Sequence, residues 1–217
     1  MNKNISNSNS SPLPTGEGQG VRLEAIRSVY FVGAGGIGMS ALIRYFLSKG
    51  KTVAGYDRTS SELTERLITE GAQIHYEEDI NLIPEECKDK ASTLVVYTPA
   101  VPQEHAELTY FRENGFDIHK RSQVLGIITR SSKGLCVAGT HGKTTSSSML
   151  ASLIDGIGLD PTFLIGGIVR AYNSNAHSGK GEYYVVEADE SDQSFIHLDP
   201  SAVLITNIEA DHLDHYE

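Results

Sequence analysis

The chain has 217 residues, 39% of them hydrophobic, with 18 basic against 28 acidic side chains and a net charge of -10. That length allows one large or two small domains, and the acidic balance excludes a general nucleic-acid binder, which needs a basic surface. No stretch approaches the ~20 apolar residues of a membrane span, no signal-like run stands at the N-terminus, and Cys87 and Cys136 share no metal-like spacing, so a cytoplasmic protein with two free thiols is expected.

Residues 1–24 are rich in Asn, Ser, Gly and Pro and lack the large apolar side chains that bury a core; they read as a disordered tail. Ser28 to Val32 is a β-branched and aromatic run, read as a buried strand. A helix is expected from Ile37 to Ser48, with Met39, Leu42, Ile43, Phe46 and Leu47 on one face and Gly50 as its stop. Thr52 to Tyr56 reads as a second strand and Glu62 to Glu70 as a helix stopped by Gly71. Ala72 to His75 and Thr93 to Tyr97 read as strands, Glu104 to Asn114 as a helix, Asp117 to His119 as a short strand and Gln123 to Arg130 as a helix. This alternation predicts a parallel sheet covered by helices on both faces.

A boundary is expected near Ser131-Ser132-Lys133, dividing a domain over 25–131 from a second over 132–217. The second opens on the apolar run Gly134 to Ala138, a glycine-rich turn and a helix-compatible run from Ser146 to Ile154. Pro161 to Gly167 reads as a connector and Asn173 to Gly181 as a polar loop. Tyr183 to Val186 and Ala202 to Thr206 read as strands. No closing strand or helix follows the last strand before Glu217, so the second sheet reads as incomplete.

Four constellations carry chemistry. Gly33-x-Gly35-x-x-Gly38, with Gly36 inside it, follows a strand and opens a helix, allowing a tight turn and close approach of a pyrophosphate. Asp57, 19 residues past Gly38 at the end of the second strand, can accept from a ribose hydroxyl. NAD is the default ligand of this pattern, any nucleotide diphosphate fits the same physics, and the bland alternative is a turn that only packs helix on strand. The second is Gly139-Thr140-His141-Gly142-Lys143-Thr144-Thr145. Its backbone N–H groups and helix N-terminus suit phosphates, Lys143 can reach the β/γ-phosphates and Thr144 can bind Mg2+. The general ATP pattern has four residues between its first glycine and Gly-Lys; here two separate Gly139 from Gly142, which makes the loop a shortened form. The third, Glu187-Ala188-Asp189-Glu190-Ser191-Asp192, follows a strand end, where ligands sit in open α/β sheets; Glu187, taken as the first residue out of the strand, is the candidate Mg2+ ligand. The fourth is Asp211-His212-Leu213-Asp214-His215, where His212 is either a surface histidine or part of a second metal site.

Together these residues resemble the Mur ligase family of peptidoglycan synthesis, in which the short loop at 139–145 is the usual ATP loop. The resemblance runs from about residue 25 to the end and rests also on Gly33 to Ser40, Glu187 to Phe195 and Thr206 to Asp214. It implies an α/β chain: an N-terminal Rossmann-like parallel-sheet domain followed by an incomplete P-loop-type ATP-binding domain, with a C-terminal domain absent, and hence a fragment expected to be inactive alone. It also implies ATP and Mg2+ as cofactors, UDP-N-acetylmuramate and L-alanine as substrates, and ligation through an acyl phosphate. The loop at 33–38 would then hold a UDP-sugar, with Thr98 and Arg121 as weaker muramate candidates. Lys143 would contact ATP, Thr144 and Glu187 would hold one Mg2+, and Glu187 and His212 would face a second. The alternatives are a relative that attaches murein tripeptide and a nucleotide-binding module without catalysis; Ser191 to Phe195 favours the alanine-adding branch.

Overall fold

The structure, a computed structural model, describes residues 23–130, 132–189 and 194–209. Its first sheet has five parallel strands in the order β3-β2-β1-β4-β5: β1 (Ser28–Val32), β2 (Thr52–Tyr56), β3 (Gln73–His75), β4 (Thr93–Tyr97) and β5 (Asp117–Lys120). Between them run α1 (Ile37–Ser48), α2 (Glu62–Thr69), α3 (Ala106–Glu113) and α4 (Arg121–Arg130). β1 is central and wholly buried. Successive strand side chains point to opposite faces, and both faces of β1 are spoken for. Val29 and Phe31 pack with Leu42, Ile43 and Phe46 of α1, Leu67 of α2 and Val124 of α4. Tyr30 and Val32 pack with Leu108 and Phe111 of α3, Ile83 and Cys87. A strand covered on both sides must be apolar throughout, which is why SVYFV shows no alternation.

The second sheet also has five strands, in the order β10-β6-β9-β7-β8: β6 (Lys133–Ala138), β7 (Thr162–Val169), β8 (Ser174–His177), β9 (Tyr183–Glu187) and β10 (Ala202–Ile205). β10, β6, β9 and β7 are parallel, and β8 returns antiparallel beside β7. One face is covered by α5 (Lys143–Gly156), through Ala151 and Ile154 against Phe163, Ile165 and Val185. The other face meets the first unit: Leu164, Val186 and Cys136 join the cluster built on α1 and α4.

Several expectations shift. The supposed connector at 161–167 is most of β7, and the supposed loop at 173–181 contains β8. Gly166 and Gly167 interrupt the apolar pattern because the backbone there is crowded by neighbours: a Cβ would stand 3.0 Å from Glu187 Oε2 at the first and 2.6 Å from Thr144 Cγ2 at the second. The β7–β8 turn is tight, with Asn173 at φ 48, a conformation asparagine tolerates. Helices α4 and α5 begin at Arg121 and Lys143, earlier than expected, whereas α3 begins at Ala106, later than expected. Both thiols are free and buried, and burial pushes Cys87 up to about 12 and Cys136 up to about 11, so they act as small core side chains.

Candidate functional site

The first glycine loop is folded onto the ends of three strands. Gly33 leaves β1 at φ +91, and a Cβ there would stand 2.5 Å from Thr98 Cγ2 beyond β4. The N–H groups of Gly33 and Ala34 donate to the Tyr56 carbonyl at the end of β2, both at 2.9 Å. Asp57 accepts from Gly35 N at 2.6 Å and from Thr59 N at 3.1 Å. Its carboxylate therefore braces the loop, and each oxygen keeps a further lone pair for a hydroxyl. Gly36 caps α1 without a side-chain bond, and the first turn of α1 carries no acid. Such an N-terminus favours an anion. A cavity of about 700 Å³ opens here, lined by Gly33, Gly36, Tyr56, Asp57, Thr98 and His105 among others.

Behind that cavity lies a buried polar cluster that the sequence reading did not single out. Tyr30 donates to Glu107 Oε2 at 2.7 Å, and its hydroxyl is also 2.7 Å from His75 Nε2. Glu107 is fully buried, and burial pushes its carboxyl up to about 7. The available signal was helical spacing: Glu107 lies four residues before buried Phe111 and beside buried Leu108.

The second glycine loop needs left-handed backbone at Gly139 (φ +131) and Gly142 (φ +82). Gly139 packs against the Thr206 hydroxyl and the Asn207 backbone. Gly142 caps α5 without a side-chain bond and with no acid in the first turn. Lys143 folds back over the loop, donating to the carbonyls of Gly139 at 2.7 Å and Thr140 at 3.2 Å. Thr144 Oγ1 donates to Glu187 Oε1 at 2.8 Å, and Gly166 N donates to Glu187 Oε2 at 2.8 Å. Thr145 follows in the same first turn. Residues past β10 latch the loop. Thr206 donates to the His141 carbonyl at 2.6 Å, His141 N donates to Asn207 Oδ1 at 2.9 Å, and Glu209 N donates to Thr140 Oγ1 at 3.0 Å.

The two loops open on one space. A cavity of about 300 Å³ between the sheets is lined by Gly38 and Arg121 from the first unit and by Lys143, Gly166, Glu187 and Asp189 from the second. Arg121 lies across it, 3.6 Å from Asp189. Glu187 is the last residue of β9 rather than the first beyond it. The structure thus brings Lys143, Thr144 and Glu187 together and sets Gly38 beside them, whereas Asp57 faces the larger cavity. Thr144 and Glu187 present adjacent hard oxygen donors, a set that suits Mg2+ shared with phosphate oxygens. Among the described residues no group of three or more His, Cys, Asp or Glu side chains is gathered for a metal. His212 lies outside the described residues, as do Glu190 to Gln193, Asp211, Asp214 and His215.

Two mainly parallel sheets, each with a glycine loop at a helix N-terminus, define an α/β protein of two units around a shared cavity. The chain belongs to the Mur ligase family: residues 28–133 match the Mur ligase family, catalytic domain, and residues 137–217 the Mur ligase middle domain. It is 61% identical over 195 residues to a UDP-N-acetylmuramate–L-alanine ligase of Phocaeicola vulgatus, covering 89% of this chain and 43% of that protein. It is 58% identical to the protein of that name from Parabacteroides distasonis, with 89% and 42% covered. Among solved structures, UDP-N-acetylmuramate-alanine ligase from Thermotoga maritima superposes with a TM-score of 0.78 at 32% identity, over 87% of this chain and 43% of that one. A UDP-N-acetylmuramate:L-alanyl-gamma-D-glutamyl-meso-diaminopimelate ligase from Neisseria meningitides superposes with a TM-score of 0.78 at 27% identity, over 88% and 64%. The chain spans less than half the length of the curated relatives it matches.

Proposed function

We propose that this chain carries the UDP-N-acetylmuramate and ATP sites of a cytoplasmic ligase that joins L-alanine to the muramoyl carboxylate. The observation that carries the reading is the single cavity shared by Gly38, Lys143 and Glu187. The names of the relatives at 61% and 58% identity favour L-alanine over a peptide as the incoming amine. No helix among the described residues is long and apolar enough to cross a membrane.

The loop at Gly33 to Gly38 holds the UDP diphosphate at the N-terminus of α1, with Asp57 keeping that loop closed and available to the ribose. The sugar carboxylate then reaches toward the cavity between the sheets, where Arg121 is the nearest cation from the first unit. The loop at Gly139 to Thr145 cradles ATP, and Lys143 exchanges its two carbonyl partners for phosphate oxygens. The carboxylate oxygen attacks the γ-phosphorus, the bond to the ADP oxygen breaks, and an acyl phosphate and ADP result. The amine of L-alanine then attacks the acyl carbon, phosphate leaves, an amide forms and the amine proton is released. Two anions must meet in the first step, so the positive charge of Lys143 and the helix N-termini offsets their repulsion. Mg2+ held by Thr144 and Glu187, with a second facing Glu187 and His212, would supply further neutralisation of the phosphate oxygens.

Calorimetry tests the reading. UDP-N-acetylmuramate and Mg-ATP should each bind the chain and NAD should not; Lys143→Ala should weaken ATP at least about 10-fold, the factor equivalent to 1.4 kcal/mol, and leave the UDP-sugar affinity unchanged. NAD binding without UDP-sugar binding would overturn the assignment.

A further inference from the structure

Asn175 on β8 is a polar side chain with no exposed surface, and its side chain bonds to Ile37, Ser40 and Arg44 of α1. Its Nδ2 donates to the Ile37 carbonyl at 2.7 Å and to Ser40 Oγ at 2.9 Å, while its Oδ1 accepts from Arg44 Nη1 at 2.5 Å. Both amide hydrogens are thus used. The remaining Arg44 nitrogens grip Glu70 in a two-pronged pair at 2.7 and 2.9 Å, which holds the guanidinium plane in place. Ile37 is the first residue of α1 and lies between Gly36 and Gly38, so Asn175 is bonded to the turn that carries the first glycine loop.

The other side of β8 leads to the second loop. Ala176 pairs with Leu164 of β7, and the register shifts between Leu164 and Val169. Gly166 and Gly167 lie within that irregular stretch. Gly166 N is bonded to Glu187, whose other oxygen is bonded to Thr144, and Gly167 abuts Thr144. An unbroken path of hydrogen bonds and backbone therefore joins Ile37, Asn175, β8, β7, Glu187 and Thr144.

We propose that Asn175 is a positioning residue that couples the two phosphate loops. A diphosphate seated on α1 fixes the first turn, Asn175 carries that position to the β7–β8 hairpin, and the hairpin sets Glu187 and Thr144 for the second nucleotide. Coupling of this kind is reciprocal, so each ligand tightens the other by the same factor. The inference rests on the two-ligand reading above.

The test is calorimetry on the full 217-residue chain, titrating UDP-N-acetylmuramate with and without saturating Mg-ATP, and the reverse. The unaltered chain should show each ligand raising the other's affinity by about 5-fold or more. Asn175→Asp keeps the side-chain shape and the acceptor for Arg44, but sets an oxygen against the Ile37 carbonyl. Ser40→Ala removes the bond from Asn175 and the Ser40 bond to the Ile37 carbonyl, and is small enough to keep the fold if the first variant does not, which a thermal melt reports. In a folded variant each ligand alone should bind within about 3-fold of the parent, while the coupling factor falls toward one. Undiminished coupling in the variants overturns the inference. So does a matching loss of both individual affinities, which marks a merely structural role. Binding of both ligands without coupling in the parent removes the inference and leaves the two-ligand reading standing, and binding of neither removes both.

Discussion

Glu107 shows how far one residue can depart from what its type prefers. Its carboxyl is held near 7 against an ordinary 4.5, with burial as the largest cause. A raised carboxyl pKa means the folded chain binds its proton more tightly than the unfolded chain does. Stability is therefore full below about 4.5, falls as the unfolded carboxyl ionises, and levels off above about 7. The shift corresponds to at most about 3 kcal/mol. Glu107→Gln is expected to remove this slope and leave the chain more stable at pH 8, measured by urea unfolding at a series of pH values; an unchanged slope would place the proton elsewhere. An acid in the first turn of a helix ordinarily reads as an exposed residue favourable to the dipole, so only the packing of Tyr30 over it reveals its state. Asp57 is the converse: its place at the end of β2 was legible, but its bond to Gly35 needed the folded loop.

At the scale of elements, β1, β4 and α1 of the first unit were legible because each has a strong local signature. SVYFV and TLVVY are continuous apolar runs, and α1 shows one apolar face. The second unit was less legible where glycine stands in place of an apolar side chain, as in β7, or where a short edge strand is polar, as in β8. The phosphate loop itself was plain, but the elements that latch it were not. Asn207 makes two bonds to His141, from Oδ1 to its N–H at 2.9 Å and from Nδ2 to its carbonyl at 3.2 Å. Two net hydrogen bonds of about 1 kcal/mol each predict that Asn207→Ala weakens ATP binding by up to about 30-fold and lowers the melting temperature by a few degrees. A titration giving the parent's affinity would show that the loop holds its shape without the latch.

The whole molecule depends on α1 serving two sheets. Its apolar face packs with β1, and the same buried cluster continues into Leu164 and Val186 of the second sheet and Ala188 just past β9. The two units should then unfold together. Leu164 is 4% exposed, and Leu164→Ala is expected to cost about 2–5 kcal/mol in one cooperative transition, with amide protection lost from both sheets at once. Two separated transitions in calorimetry would show that the units are energetically independent. By itself the sequence determined the α/β class, both glycine loops and the family likeness, because those depend on local spacing: strand, turn and helix follow one another along the chain. Tertiary structure decided that Glu187 meets Thr144, that Gly38 and Lys143 share a cavity, and that Asn175 ties β8 to α1. Those partners lie 43, 105 and 138 positions apart, and no periodicity in a chain reports which distant side chains the packing of two sheets around one helix will bring together.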